Sequence, residues 1–157
     1  MPPRKGKRRQ RQRNLYYVVE IGTWDWGYSF GLDTTRYGDG PYREYRHLKM
    51  TGKLLRPHKI KADTVEVTLM PDARLREENR KQDNPRAVGS LILGGGLLEA
   101  LLPIPSDALD AVLQTLTAGK LRYVVINGSP LRYRRGLVQD FSLESTYDAA
   151  DLPREEG

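Results

Sequence analysis

Arg4, Lys5, Lys7, Arg8, Arg9, Arg11 and Arg13 stand within the first fourteen residues with no acid among them. Guanidinium and ammonium groups at this density neutralise phosphates and release their counterions, which gives affinity for nucleic acid without reading its sequence. The body of the chain repeats the chemistry twice. Tyr42 to Lys61 holds Arg43, Arg46, Lys49, Lys53, Arg56, Lys59 and Lys61 with His47 and His58, opposed by Glu44 alone. Lys120 to Arg135 holds Lys120, Arg122, Arg132, Arg134 and Arg135 with no acid between them. Tyr42, Tyr45, Tyr123 and Tyr133 are interleaved with these bases, and a β-surface of that composition would hold phosphates and stack bases. The expected contact set is therefore the arm with Arg43, Arg46, Lys49, Arg122, Arg132 and Arg134, forming one cationic platform if the two stretches are neighbours. The competing reading makes the body residues a solvated sheet face that protects its edges. The arm then becomes a docking segment for an acidic protein.

Catalytic chemistry has no comparable signal. Thr51-Gly52-Lys53 lacks the upstream glycine and the following Ser or Thr of a phosphate loop. Ser90 in VGSLI is not a nucleophile elbow, and His47 and His58 lack metal-site spacing. Asp33 with Asp39 does not follow a calcium-loop pattern. Without cysteine there is no thiolate site or thiol nucleophile. No cofactor or metal is expected, and a carboxylate pair assembled in space is the one enzymatic alternative that sequence leaves open.

The elements that must position these residues read as strands. Leu15–Ile21 alternates apolar and mixed positions in a run rich in β-formers. After Gly22, Trp24, Trp26, Tyr28, Phe30 and Leu32 fall on one face of a second strand, with Asp25, Gly27, Ser29 and Gly31 on the other. Rings of that size bury large apolar areas, so the row is expected to be the inner face of a sandwich; the alternative is an exposed platform for sugars or bases. A loop over Asp33–Pro41, with Gly38 and Asp39, precedes a strand from Tyr42 to Met50 that could run on to Leu55. Thr64–Met70 is a further strand, and polar Pro71–Pro85 is an exposed excursion in which Ala73–Lys81 could form a short helix. Ala87–Leu93 and Leu97–Ile104 are continuously apolar strands joined at Gly94-Gly95-Gly96. Leu109, Val112, Leu113 and Leu116 make one helical stripe over about 107–118, with Ser106 as the expected N-cap and Gly119 as the stop. Lys120–Leu143 is a β-hairpin turning at Asn127-Gly128, with Leu131, Tyr133, Leu137, Phe141 and Leu143 on its apolar face.

These elements give a mostly β fold: an antiparallel sandwich or half-open barrel of about eight strands with one covering helix. The 157 residues suit one domain over 15–145, between a basic arm at 1–14, expected to be disordered, and an acidic tail at 146–157, expected to fray. The arm carries +7 and the last fourteen residues −4 of the net +6, so the body between carries +3. No apolar run approaches the ~20 residues of a membrane span, and Leu15–Val19 is too short for a signal-peptide core. A soluble cytoplasmic protein is expected. The leading functional expectation is a non-enzymatic domain that binds RNA or DNA with little sequence preference. The alternative is a protein-interaction or assembly module, such as a coat-like subunit, whose arm meets an acidic partner.

Overall fold

A computed structural model describes residues 13–34, 40–72, 75 and 85–155. The expected loop residues 35–39, the short helix at Ala73–Lys81 (Leu75 apart) and the arm up to residue 12 lie outside the described residues. Among the described residues the fold is mostly β with one α-helix. Its strands are β1 (Leu15–Leu32), β2 (Tyr42–Arg56), β3 (Thr64–Asp72), β4 (Gly89–Gly94), β5 (Leu97–Pro105), β6 (Tyr123–Gly128) and β7 (Arg135–Glu144). They close into a barrel in the order β1-β2-β3-β5-β4-β7-β6, with β6 returning to β1.

The barrel interior is set by period-2 alternation. Tyr17 and Val19 of β1, Leu48 and Met50 of β2, and Val65, Val67 and Leu69 of β3 meet Leu98, Ala100 and Leu102 of β5. Leu91 of β4, Val138 of β7, and Val124 and Ile126 of β6 close the ring. Paired positions match in register: Met50 lies opposite Val67, Val67 opposite Ala100, and Ala100 opposite Leu91. Side chains therefore share a face all the way round.

The architecture differs from expectation in four places. Leu15–Ile21 and Trp24–Leu32 are one strand, because a bulge between Ile21 and Thr23 adds a residue without ending the pairing with β2. That extra residue moves the inward face from odd to even positions. The expected eight strands are consequently seven among the described residues. Second, β3 and β5 run parallel, since β4 folds back on β5 and leaves β5 free to enter beside β3. The β4–β5 turn is made by Gly95 and Gly96 at φ 58° and 80°, as the glycine run suggested. Third, of the two expected arrangements the sheet takes the barrel and not the sandwich, and it closes fully where a half-open barrel was expected.

Fourth, the β6–β7 hairpin turns later than Asn127-Gly128. Those two residues pair within the ladder, with Asp140 and Val138, and the chain reverses at Tyr133-Arg134 between the bridged residues Arg132 and Arg135. A register shift beside Gly128 again inverts the side-chain order, so Val138 is buried while Leu137 is exposed. The expected apolar role of Tyr133 and Leu137 is lost with it.

The α-helix α1 (Leu109–Thr117) follows a 3-10 turn at Ser106–Ala108. Ser106 is not its N-cap: Ala108 holds that position and no side chain caps the helix. At the other end Gly119 donates to the Leu116 carbonyl and Lys120 to that of Thr115, each at 3.0 Å, which is a Schellman stop at Gly119 (φ 69°). Leu109, Leu116 and Leu121 join the barrel core, so α1 closes the end where β5 finishes and β6 begins.

The tail expected to fray is instead held against the barrel over Tyr147–Glu155. Tyr147 packs on Tyr123 with ring centroids 5.8 Å apart. The Arg56 guanidinium donates to the Pro153 carbonyl, and the His58 backbone N–H donates to Glu155 Oε1 at 2.8 Å.

Candidate nucleic-acid interface and exposed ribbon

Strand β1 has two neighbours only at its start. Leu15 to Glu20 pair with β6 from Gly128 to Tyr123, whereas pairing with β2 continues to Leu32 opposite Tyr42. The barrel therefore has two unlike ends. At one end lie the start of β1, the β6–β7 loop, the β4–β5 turn and the β2–β3 loop. From the other end, beside α1, the outer parts of β1 and β2 project as a two-stranded ribbon.

The first end gathers bases. Tyr17 fixes its geometry, since its buried hydroxyl donates to the Ser129 carbonyl at 2.7 Å. Burial pushes the Tyr17 hydroxyl pKa up to about 12. Asn14 donates to Gln139 at 2.5 Å, so the chain leaves the barrel beside the β6–β7 hairpin. Arg132, Tyr133, Arg134 and Arg135 are all exposed on that hairpin, Tyr133 at 94%. Arg132 N donates to the Arg135 carbonyl at 2.8 Å and Arg135 N to the Arg132 carbonyl at 3.1 Å, with Tyr133 and Arg134 at φ 53° and 64°. Two positive φ values in a two-residue hairpin are the signature of a type I′ turn, which strongly favours Asn and Gly. Here the turn presents a ring and a guanidinium. Exposed Lys59 and Lys61 belong to the same end, along with Asp63 and the His58–Glu155 pair at 3.5 Å.

The second end has a different surface. Trp24, Trp26, Tyr28, Phe30 and Leu32 share one face of the ribbon with Arg46, Glu44 and Tyr42 across the pair. The expected burial of this row does not occur: Trp24 is 37% exposed, Trp26 53%, Phe30 62% and Leu32 71%. Among the described residues no second layer covers them, because the barrel has already closed through β6. Phe30 stacks on Tyr42 with centroids 5.6 Å apart at 17°. The charges on this face are tied up. Tyr28 Oη donates to Glu44 at 3.1 Å, Arg46 Nε lies 3.4 Å from Glu44, and Arg46 Nη2 donates to the Ser106 carbonyl at 3.5 Å. Burial and the Glu44 carboxylate both raise the Tyr28 pKa. On the reverse face His47 lies across Gly27, where a Cβ would strike the imidazole, and beside Tyr45 at 5.5 Å.

The single platform expected from sequence is thus divided. Arg132 and Arg134 lie at the arm end with Arg13. Arg43, Arg46 and Lys49 lie on the ribbon, where Lys49 is 3.8 Å from Glu66, and Arg122 lies at the ribbon's root beside Ile21. About six residues of β1, roughly 20 Å at ~3.3 Å per residue, separate the two groups. Arg4, Lys5, Lys7, Arg8, Arg9 and Arg11 lie outside the described residues. The sequence offered Tyr133 as a stacking ring but also set it on the hairpin's apolar face, and the expected basic contact set left out Arg135. The repeated Leu-Arg-Tyr and the lack of acids around them were the available signal.

Among the described residues no three His, Asp or Glu side chains converge to hold a metal ion, and no helix is long and apolar enough to cross a membrane. Compared with known proteins, the chain matches no family model, no curated protein and no solved structure.

Proposed function

We propose that this chain is a non-enzymatic β-barrel that binds nucleic acid, RNA or DNA, with little sequence preference at the end where its basic arm leaves the barrel. One observation carries the reading. Arg132, Tyr133, Arg134 and Arg135 are displayed on a tight turn at the point from which the sequence continues into seven more bases, Arg13 back to Arg4. Guanidiniums there neutralise phosphates, and the exposed ring offers a face on which a base can stack. Backbone strain kept at an exposed tip is itself a pointer to function.

The test is a titration of labelled single- and double-stranded oligonucleotides with the full chain at about 50 and about 200 mM salt. Engagement of six or more phosphates predicts an affinity loss of about 10³-fold or more across that range. Absence of binding at the lower salt contradicts the reading.

A second reading, a protein-interaction or assembly module, is favoured by the aromatic face of the ribbon being open to solvent, since apolar patches of several hundred Å² mark interaction sites. The two readings use opposite ends of the barrel and are compatible.

A further inference from the structure

We propose that the outer edge of β1 pairs with the same edge of a second copy of this chain, antiparallel about a two-fold axis near Gly27. Two ribbons thereby form one four-stranded sheet. The inference rests on the second reading above and is independent of the first. Beyond Ile21, whose N–H donates to the Arg122 carbonyl, β1 has a strand partner on one side only among the described residues. Gly22–Leu32 is thus an open edge, about 36 Å long at ~3.3 Å per residue. Open edges are ordinarily blunted by lysine, proline, inward charges or short length. This one has no lysine and no proline, and Asp25 is its sole charged residue. Its reverse face, Gly27, Ser29 and Gly31, is too small to screen it.

The edge is also complementary to itself. Gly27 is the midpoint of Gly22–Leu32, so a two-fold axis there sets Trp26 opposite Tyr28 of the second copy and Trp24 opposite its Phe30. Aromatic cross-strand pairs stabilise a sheet, and all the rings stay on one face. Asp25 falls opposite Ser29 of the second copy, so no like charges meet. Contacts that repeat in both directions are what a closed two-fold dimer requires.

Edge pairing joins the main chains and brings the flanks of Trp24, Trp26, Tyr28 and Phe30 against rings of the second copy, while the ribbon's face stays open. The contact therefore buries less than the about 800 Å² per partner of a standard interface, and a weak dimer is expected.

Both tryptophans of the chain, Trp24 and Trp26, lie on this face, so intrinsic emission reports this surface alone. Sedimentation and tryptophan emission of the full chain are followed between about 0.1 and about 100 μM, the weak end of affinities for an interface of this size. The expected result is a mass that rises from one chain to two and stops, with emission moving to the blue as it does. Trp26→Lys with Phe30→Lys is expected to stay monomeric with an unchanged far-UV spectrum. Asp25→Lys with Ser29→Lys keeps every ring but opposes lysines across the edge, and is expected to weaken the dimer by at least about tenfold. If that variant dimerises as the parent does, edge pairing is overturned. Mass that grows past two chains overturns the two-fold arrangement. A monomer with red emission overturns self-pairing while leaving the ribbon open to another partner. A monomer with blue emission means that the chain covers the face itself, and both self-pairing and the assembly reading fail.

Discussion

Tyr133 and Arg134 occupy the left-handed region, where a non-glycine residue costs roughly 1–2 kcal/mol. The same barrel uses glycine for this geometry at Gly95-Gly96, so the cost at the second turn is not imposed by the fold. Tyr133→Asn is expected to stabilise the chain by about 0.5–1 kcal/mol in thermal unfolding. It is also expected to weaken single-strand binding by about 1–3 kcal/mol through loss of the ring, while Tyr133→Phe binds as the parent does. A more stable variant with undiminished binding would show that the ring contacts nothing. Tyr17 carries a pH prediction. Its folded pKa near 12 lies above the ordinary value of 10, so its contribution is fully present below pH 10. Stability then falls as pH rises towards 12, by an amount on the order of a few kcal/mol at most. Comparing denaturant midpoints at pH 9 to 12, Tyr17→Phe should lose less stability than the parent over that window.

At the scale of elements, the ribbon lies outside the cooperative core. With the chain dilute, Trp26→Ala should change stability by less than about 0.5 kcal/mol, whereas Leu102→Ala inside the barrel should cost about 2–5 kcal/mol. Equal costs would place Trp26 in the core after all. This contrast is what the sequence conceals. Alternation from Trp24 to Leu32 shows that the rings share a face, but whether a second layer covers that face depends on where β6 stops pairing, which no local pattern encodes. The bulges at Gly22 and beside Gly128 hide the rest, since each inverts the inward parity and so joins two apparent strands or exposes Leu137. By contrast Val65, Val67 and Leu69, the stripe of α1 and its stop at Gly119 were legible because local periodicity and backbone chemistry alone determine them. The bases were legible as types, but not as a set divided between two ends.

On the whole-molecule scale the barrel is a spacer between two unlike surfaces, a basic end and an apolar ribbon. Pairing through ribbons would carry two basic ends on one particle, and a second contact on the same strand then gains from effective concentration. A long oligonucleotide should accordingly bind the parent chain more tightly than the Trp26→Lys, Phe30→Lys variant by about 10²-fold or more, while an oligonucleotide too short to span both ends should bind the two alike. The most direct test of the central claim, that nucleic acid binds at the arm end, compares the salt dependence of short single-strand binding by the parent and by Arg132→Ala with Arg134→Ala. Losing two phosphate contacts should reduce the slope of log K against log salt by about 1.4, at ~0.7 per contact. An unchanged slope would contradict the account.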